Sequence, residues 1–197
     1  MTDLERIFGP VANSTRCSEA MRATVEEVLQ LAVEIAREGR EGRKIGTLFV
    51  VGDVDNVVAR SRPLLLDPLY GHADELLNVA RPEFRETVKE LAQLDGAFVV
   101  DKHGTFISAA RYVDVEPGTA FMPGLGTRHA AAASITAQTR SVAIVVSQSS
   151  IVRVYAQGTI RAEVVPELFL LSRDGLFTNG DVRQVPEAGI TLAVADG

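Results

Sequence analysis

The chain has 197 residues, of which 46% are hydrophobic and 23% charged, enough for one globular domain with a sizeable core. Its net charge of −6 argues against a broad nucleic-acid surface, while a few local donors can still hold a small anion. Cys17 is the only cysteine, which excludes an internal disulfide and a Cys-built zinc site and fits a reducing, cytoplasmic setting.

Residues 1–10 carry acids and no apolar run, so no signal peptide is expected. No stretch of the chain approaches the roughly 20 apolar residues of a membrane helix, and no membrane interaction is expected. Residues 1–17 show no clear period and read as a loose lead-in. Ser18 suits an N-cap, and Met21, Val25, Val28, Leu29, Ala32 and Ile35 then mark one face of a helix over about 18–38. Gly39 is its stop, with Arg37 and Arg40 placed to offset the helix dipole. The apolar run 45–51 reads as a strand buried on both faces. Pro63, Pro68 and Gly71 make 53–80 a region of loops and one short helix. Pro82 suits a first helical position, and Phe84, Val88, Leu91 and Ala92 continue that helix. Residues 97–100 form a short buried strand, 101–104 a hairpin turn and 105–113 the returning strand. A loop rich in Gly and Pro covers 114–126, and an alanine-rich helix follows over about 127–139. Residues 142–146 are another apolar strand, and 151–155 and 159–164 flank the turn Gln157-Gly158. A last helix is expected over 166–171, and the tail after Arg173 carries no clear pattern. No repeat or internal boundary appears, so 1–197 is read as a single α/β domain: a twisted mixed β-sheet flanked by helices on both faces.

The order of these elements gathers polar residues on one rim. Asp95 lies where strand 97–100 begins. The hairpin reverses the chain, so strand 105–113 ends on that rim. The loop 114–126 and the start of the helix at Thr127 share it. Strand 142–146 then runs back and delivers Ser147 and Gln148. Strand, helix and strand from 105 to 146 form a parallel crossover, and ligands of such units bind beyond the strand ends. A helix start offers free N–H groups and the positive end of a dipole, which suit phosphate. Gly124 and Gly126 permit close approach. Arg128 adds a forked positive charge, His129 a donor or base, and Asp95 a hard oxygen for Mg²⁺ or Mn²⁺. Each piece also has an ordinary reading: Asp95-Gly96 as a turn, Thr127 as a cap, Ser147 as a strand end. His72 and His103 read as surface or turn residues, and Asp74 and Glu75 beside His72 have ligand chemistry without a defined element to hold it.

Two short motifs carry a resemblance to the diadenylate cyclase family, in a form similar to its archaeal members. One is Asp95-Gly96-Ala97, set in the run 94–100. The other is Gly126-Thr127-Arg128-His129, followed by Ala130-Ala131-Ala132. Ile144-Val145-Val146-Ser147 is a third, weaker match. The likeness covers about 44–165. It implies the mixed sheet described above and a cyclase that joins two ATP into cyclic di-AMP, with Mn²⁺ or Mg²⁺ as cofactor. It implies a homodimer or higher homo-oligomer in which two sites face each other. It implies that Asp95 holds the metal and activates the ribose 3′-hydroxyl, with Arg128 and His129 as its catalytic partners. Gly96, Ala97, Gly126, Thr127, Arg128, His129, Ser147 and Gln148 would bind ATP, the last two near phosphate or metal, and Tyr112, Val113 and Asp114 would border the adenine. The chain departs from the family at Ala130, Ala131 and Gln148, where many members carry Arg or Lys, Thr, and Glu. Ala131 and Gln148 support an alternative in which the domain only binds or senses ATP or cyclic di-AMP.

Overall fold

Five consecutive buried residues, Thr47–Val51, form strand β1 in a computed structural model that describes residues 3–117, 124–165, 181–188 and 190–195. Helices α1 (Asp3–Ser14) and α2 (Glu19–Glu38) precede it. After it come α3 (Val54–Ala59), β2 (Ser61–Pro63) and α4 (Pro82–Leu91). The hairpin β3 (Ala97–Val100) and β4 (Phe106–Val113) leads to α5 (Thr127–Gln138) and β5 (Val142–Val146). A second hairpin, β6 (Val152–Ala156) and β7 (Thr159–Val165), is followed by β8 (Asp181–Val185) and β9 (Ile190–Val194).

These strands make one sheet in the order β2-β4-β3-β1-β5-β6-β7-β9-β8. β1 pairs parallel with β3 and antiparallel with β5, while β3 and β4 are antiparallel. β4 and β5 therefore run the same way, as the crossover reading requires, but β3 and β1 lie between them. Pro63 sits in β2, at the sheet edge, where its missing N–H breaks no inner ladder.

Both faces are covered. On one, Phe49 stacks on Phe98 with centroids 5.1 Å apart, and Phe84 of α4 meets Phe106 edge-on at 5.2 Å. Val25, Leu29 and Ile35 of α2 share that core. On the other, Leu48, Val50, Val99 and Val145 lie under Ala132 and Ile135 of α5 and Val57 of α3. Small side chains let α5 sit close: a Cβ on Gly158, in the β6–β7 turn, would come within 3.0 Å of Ala137 Cβ. The sheet is thus mixed, twisted and flanked by helices on both faces, as the sequence pattern predicts.

Two expectations need correction. Residues 1–17 are not a loose lead-in: α1 buries Phe8, Val11 and Ala12 against the core that α2 also covers. Gly9 and Pro10 obscure that helix in the sequence, yet its 7-8-11-12 spacing is helical. The tail is not patternless either, since β9 pairs antiparallel with β7 and β8 with β9, extending the sheet. The helix expected over 166–171 and loop residues 118–123 lie outside the described residues.

Candidate active site

β1 and β3 begin at one edge of the sheet, and β4 and β5 end there. That edge carries Asp95 before β3, Gly46 before β1, Ser147 and Gln148 after β5, and the first turn of α5. Arg128 Nη2 bonds Asp95 Oδ1 at 3.0 Å, which joins carboxylate and helix tip across the edge. The Asp95 side chain is 80% exposed and that of Arg128 33% exposed. Such a pair adds little stability in solvent, so both ends are accessible to a ligand.

The Asp-Gly-Ala motif has a local cause. Gly96 has φ +107°, and a Cβ there would stand 2.6 Å from the carbonyl carbon of Ala110 and 2.7 Å from the nitrogen of Arg111. The β3–β4 register shifts between Ala97 and Val99, where β4 bulges with Ala110 at φ +52°. Only glycine fits beside that bulge. Asp67 holds the bulge, accepting from Ser108 Oγ at 2.6 Å and from the Ala109 N–H at 3.1 Å. Arg111 then turns back to Ser61 Oγ at 2.8 Å and Ser61 O at 2.9 Å.

Two recesses flank Arg128. The larger, about 580 Å³, is lined by Asp95, Gly96, Ala97, Thr127 and Arg128 together with Leu48, Leu64, Arg111, Tyr112, Val113, Val115, Ala130 and Ala131. Its apolar walls and polar mouth suit a planar base and a sugar. Arg62 lies over the Tyr112 ring, 4.5 Å from its centroid. The second recess, about 370 Å³, is lined by residues 124–129, 145–149 and Arg153. Its floor is the tip of α5, where the Gly126 carbonyl accepts the N–H groups of His129 and Ala130. The N–H groups of Thr127 and Arg128 have no acceptor among the described residues, as expected of a helix start. Among the described residues no heavy atom lies within 4 Å of a Cβ built on Gly124 or Gly126, which leaves those amides open to an anion on that side.

His129 is buried at 7% exposure, with Nδ1 3.0 Å from Tyr155 Oη. Burial first, then the cations Arg153 and Arg128, lowers its pKa to about 4, so the ring is neutral near pH 7. Burial raises the Tyr155 pKa. Arg153 is also buried and donates from Nε to Glu163 Oε1 at 2.7 Å. Ser147 Oγ is within 2.9 Å of Ser149 Oγ.

The edge therefore brings together Asp95, Gly96, Ala97, Tyr112, Val113, Gly126, Thr127, Arg128, His129, Ser147 and Gln148. Asp114 stands apart from both linings: its N–H donates to Arg60 O, and its own carbonyl accepts from Ser134 Oγ at 3.4 Å. Three neighbours were not singled out from the sequence. A Cβ on Gly46 would come within 3.1 Å of Arg128 Nη1 and 3.4 Å of Gln148 Cγ, so glycine there lets the guanidinium cross the start of β1. Arg153 and Tyr155 could have been flagged as polar groups in an otherwise apolar strand that faces an apolar helix. His72, Asp74 and Glu75 form no metal cluster, and among the described residues no group of three or more His, Cys, Asp or Glu could hold an ion.

The family model described as DAC, DisA bacterial checkpoint controller nucleotide-binding, matches residues 34–160. The chain belongs to the DAC family. The match takes in both flanking recesses, the Asp95 and Thr127 motifs and strands β1 to β6, and leaves out α1, β8 and β9. Two archaeal relatives carry the name diadenylate cyclase. That of Methanocaldococcus jannaschii is 42% identical over 157 residues, 79% of this chain and 50% of the relative. That of Haloferax volcanii is 36% identical over 154 residues, 77% of this chain and 56% of the relative. This DAC-family chain thus spans about half the length of the relatives it matches. A solved Bacillus cereus structure, described as a hypothetical membrane spanning protein, shares its fold with a TM-score of 0.53 at 19% identity, covering 71% of this chain and 66% of that one. Among the described residues no helix is long and apolar enough to cross a membrane.

Proposed function

We propose that this DAC-family chain is a diadenylate cyclase, condensing two ATP into cyclic di-AMP with release of two pyrophosphates. The observation that carries this reading is the contact of Asp95 with Arg128 at the free tip of α5, between a base-sized recess and an amide-floored one. Adenine and ribose occupy the larger recess, against Tyr112, Val113 and Leu48. The triphosphate crosses Arg128 to the Thr127 and Arg128 amides, near Ser147 and Gln148. The 3′-hydroxyl of one ATP forms a bond to the α-phosphorus of the other. The bond from that phosphorus to the bridging oxygen breaks, and pyrophosphate leaves with the electron pair. The same step in the opposite sense closes the ring.

Asp95 offers one hard, exposed oxygen donor, which fits Mg²⁺ or Mn²⁺ completing their shells with phosphate oxygens and water. A metal held there would neutralise phosphate charge and ease loss of the hydroxyl proton. The chain's own residues position and stabilise. Arg128 and the α5 amides hold charge on the phosphate oxygens, and the recess walls fix the base. One chain presents one ATP, so the second comes from a second copy whose Asp95 edge faces the first across a two-fold axis.

Incubation with ATP and Mn²⁺, followed by chromatography, tests the proposal. Cyclic di-AMP and pyrophosphate should form in a ratio of one to two, and Asp95→Asn should abolish both while the urea unfolding midpoint stays near that of wild type. Asp95→Asn turning over at the wild-type rate would remove the carboxylate from the mechanism. A domain that only binds nucleotide, the alternative that Ala131 and Gln148 favour, would leave ATP unchanged.

A further inference from the structure

Between α5 and the sheet, behind the second recess, lies a buried polar pair. Tyr155 on β6 is 1% exposed, and its Oη is 3.0 Å from His129 Nδ1. Among the described residues this nitrogen is the phenol's sole hydrogen-bond partner. The charged groups around the pair are Arg128 on α5, Arg153 on β6 and Glu163 on β7, the last two bonded to each other.

A neutral imidazole has one N–H and one lone pair, and a phenol has one proton to give. Burial next to two guanidinium groups keeps the ring neutral, so two arrangements are open. If Nδ1–H donated to Tyr155, the phenolic proton would be buried without an acceptor, which disfavours that form by about tenfold or more. If Tyr155 donates to Nδ1, both groups are satisfied, and the ring hydrogen must sit on Nε2. His129 lines the second recess, and Nε2 is not among the wholly enclosed, unpartnered polar atoms of the described residues.

We infer that Tyr155 is a positioning residue whose O–H locks His129 in the Nε2–H form, so that the ring offers the second recess an uncharged donor and no lone pair. On this arrangement His129 cannot accept a proton from substrate at Nε2. It grips an anionic oxygen without adding a third cation beside Arg128 and Arg153. Only the identity of that anion, a phosphate, rests on the proposed function.

The test is a long-range proton–nitrogen correlation spectrum of the full chain labelled with ¹⁵N-histidine, recorded from pH 5.5 to 8. His129 should show a protonated Nε2 and a bare Nδ1 throughout, with a slowly exchanging Tyr155 hydroxyl proton close to the ring. Tyr155→Phe keeps the ring volume and removes the donor. It should let the second tautomer appear and weaken a non-reactive ATP analogue about three- to tenfold. A protonated Nδ1 in the wild type overturns the inference, as does Tyr155→Phe with tautomer and analogue affinity both unchanged. Should the analogue fail to bind the wild type, the phosphate reading of the recess falls, and the wild-type spectrum still decides the role of Tyr155.

Discussion

Gly126→Ala separates binding from folding at the tip of α5. Gly126 has φ −79° and ψ −176°, a conformation any residue adopts, and a Cβ there would meet no atom of the described residues within 4 Å. Alanine restricts the unfolded chain, a gain of about 0.4–1 kcal/mol. It is a poorer N-cap than glycine, a loss of comparable size. The two offset each other, and stability should change by less than about 1 kcal/mol. The new methyl, however, would occupy the space through which a phosphate oxygen is proposed to reach the Thr127 and Arg128 amides. Losing one hydrogen bond to a charged acceptor costs about 1.5–3 kcal/mol, so affinity should fall by about tenfold or more. Calorimetric titration with a non-reactive ATP analogue and Mn²⁺, run beside urea unfolding, measures both quantities. If the analogue binds Gly126→Ala within twofold of wild type, no phosphate sits on that helix tip.

Gly96→Ala should behave in the opposite way. Its positive φ and its clash with the Ala110 backbone predict a loss of about 3 kcal/mol or more in urea unfolding, and near wild-type stability would show that the bulge yields easily. His129 titrates near pH 4 when folded and at its ordinary 6.5 when unfolded. Between those values the unfolded chain binds more protons, so stability drops as pH falls from about 6.5 to 4, by about 3 kcal/mol in all. Glu26, whose pKa is raised first by burial and then by Glu5, acts in the opposite sense. The His129 share is therefore read as the difference between wild type and His129→Gln, and identical pH profiles for the two would contradict it. If two copies meet at the site, as proposed, specific activity should fall on dilution below the dimer dissociation constant; a rate per chain independent of concentration would refute facing sites.

The shared edge was legible because it depends only on parity. Each apolar run is short and bounded by turn residues, and each hairpin or helix reverses the chain once. Asp95, Thr127 and Ser147 therefore fall on one side however the strands are ordered. Strand order itself was not legible: β4 and β5 run parallel, yet β3 and β1 separate them, a placement set by long-range pairing. The same limit hid Gly46, whose role appears only when Arg128 crosses it, and the meeting of Tyr155 with His129 across 26 residues. Arg153 and Glu163 were closer to legible, since the Gln157-Gly158 turn folds them into register. α1 was masked by Gly9-Pro10, local breakers overridden by burial of Phe8 and Val11. β9 pairs with β7, which lies far earlier in the chain, so local propensity had little to report.

One triphosphate is proposed to span Asp95 and the start of α5, and a crystal structure with a non-reactive ATP analogue and Mn²⁺ would reveal whether it does. Phosphate oxygens should lie within hydrogen-bond reach of the Thr127 and Arg128 amides, with the Asp95 carboxylate on the metal and adenine against Tyr112 and Val113. Nucleotide bound on any other face, with Asp95 and the helix tip untouched, would contradict it.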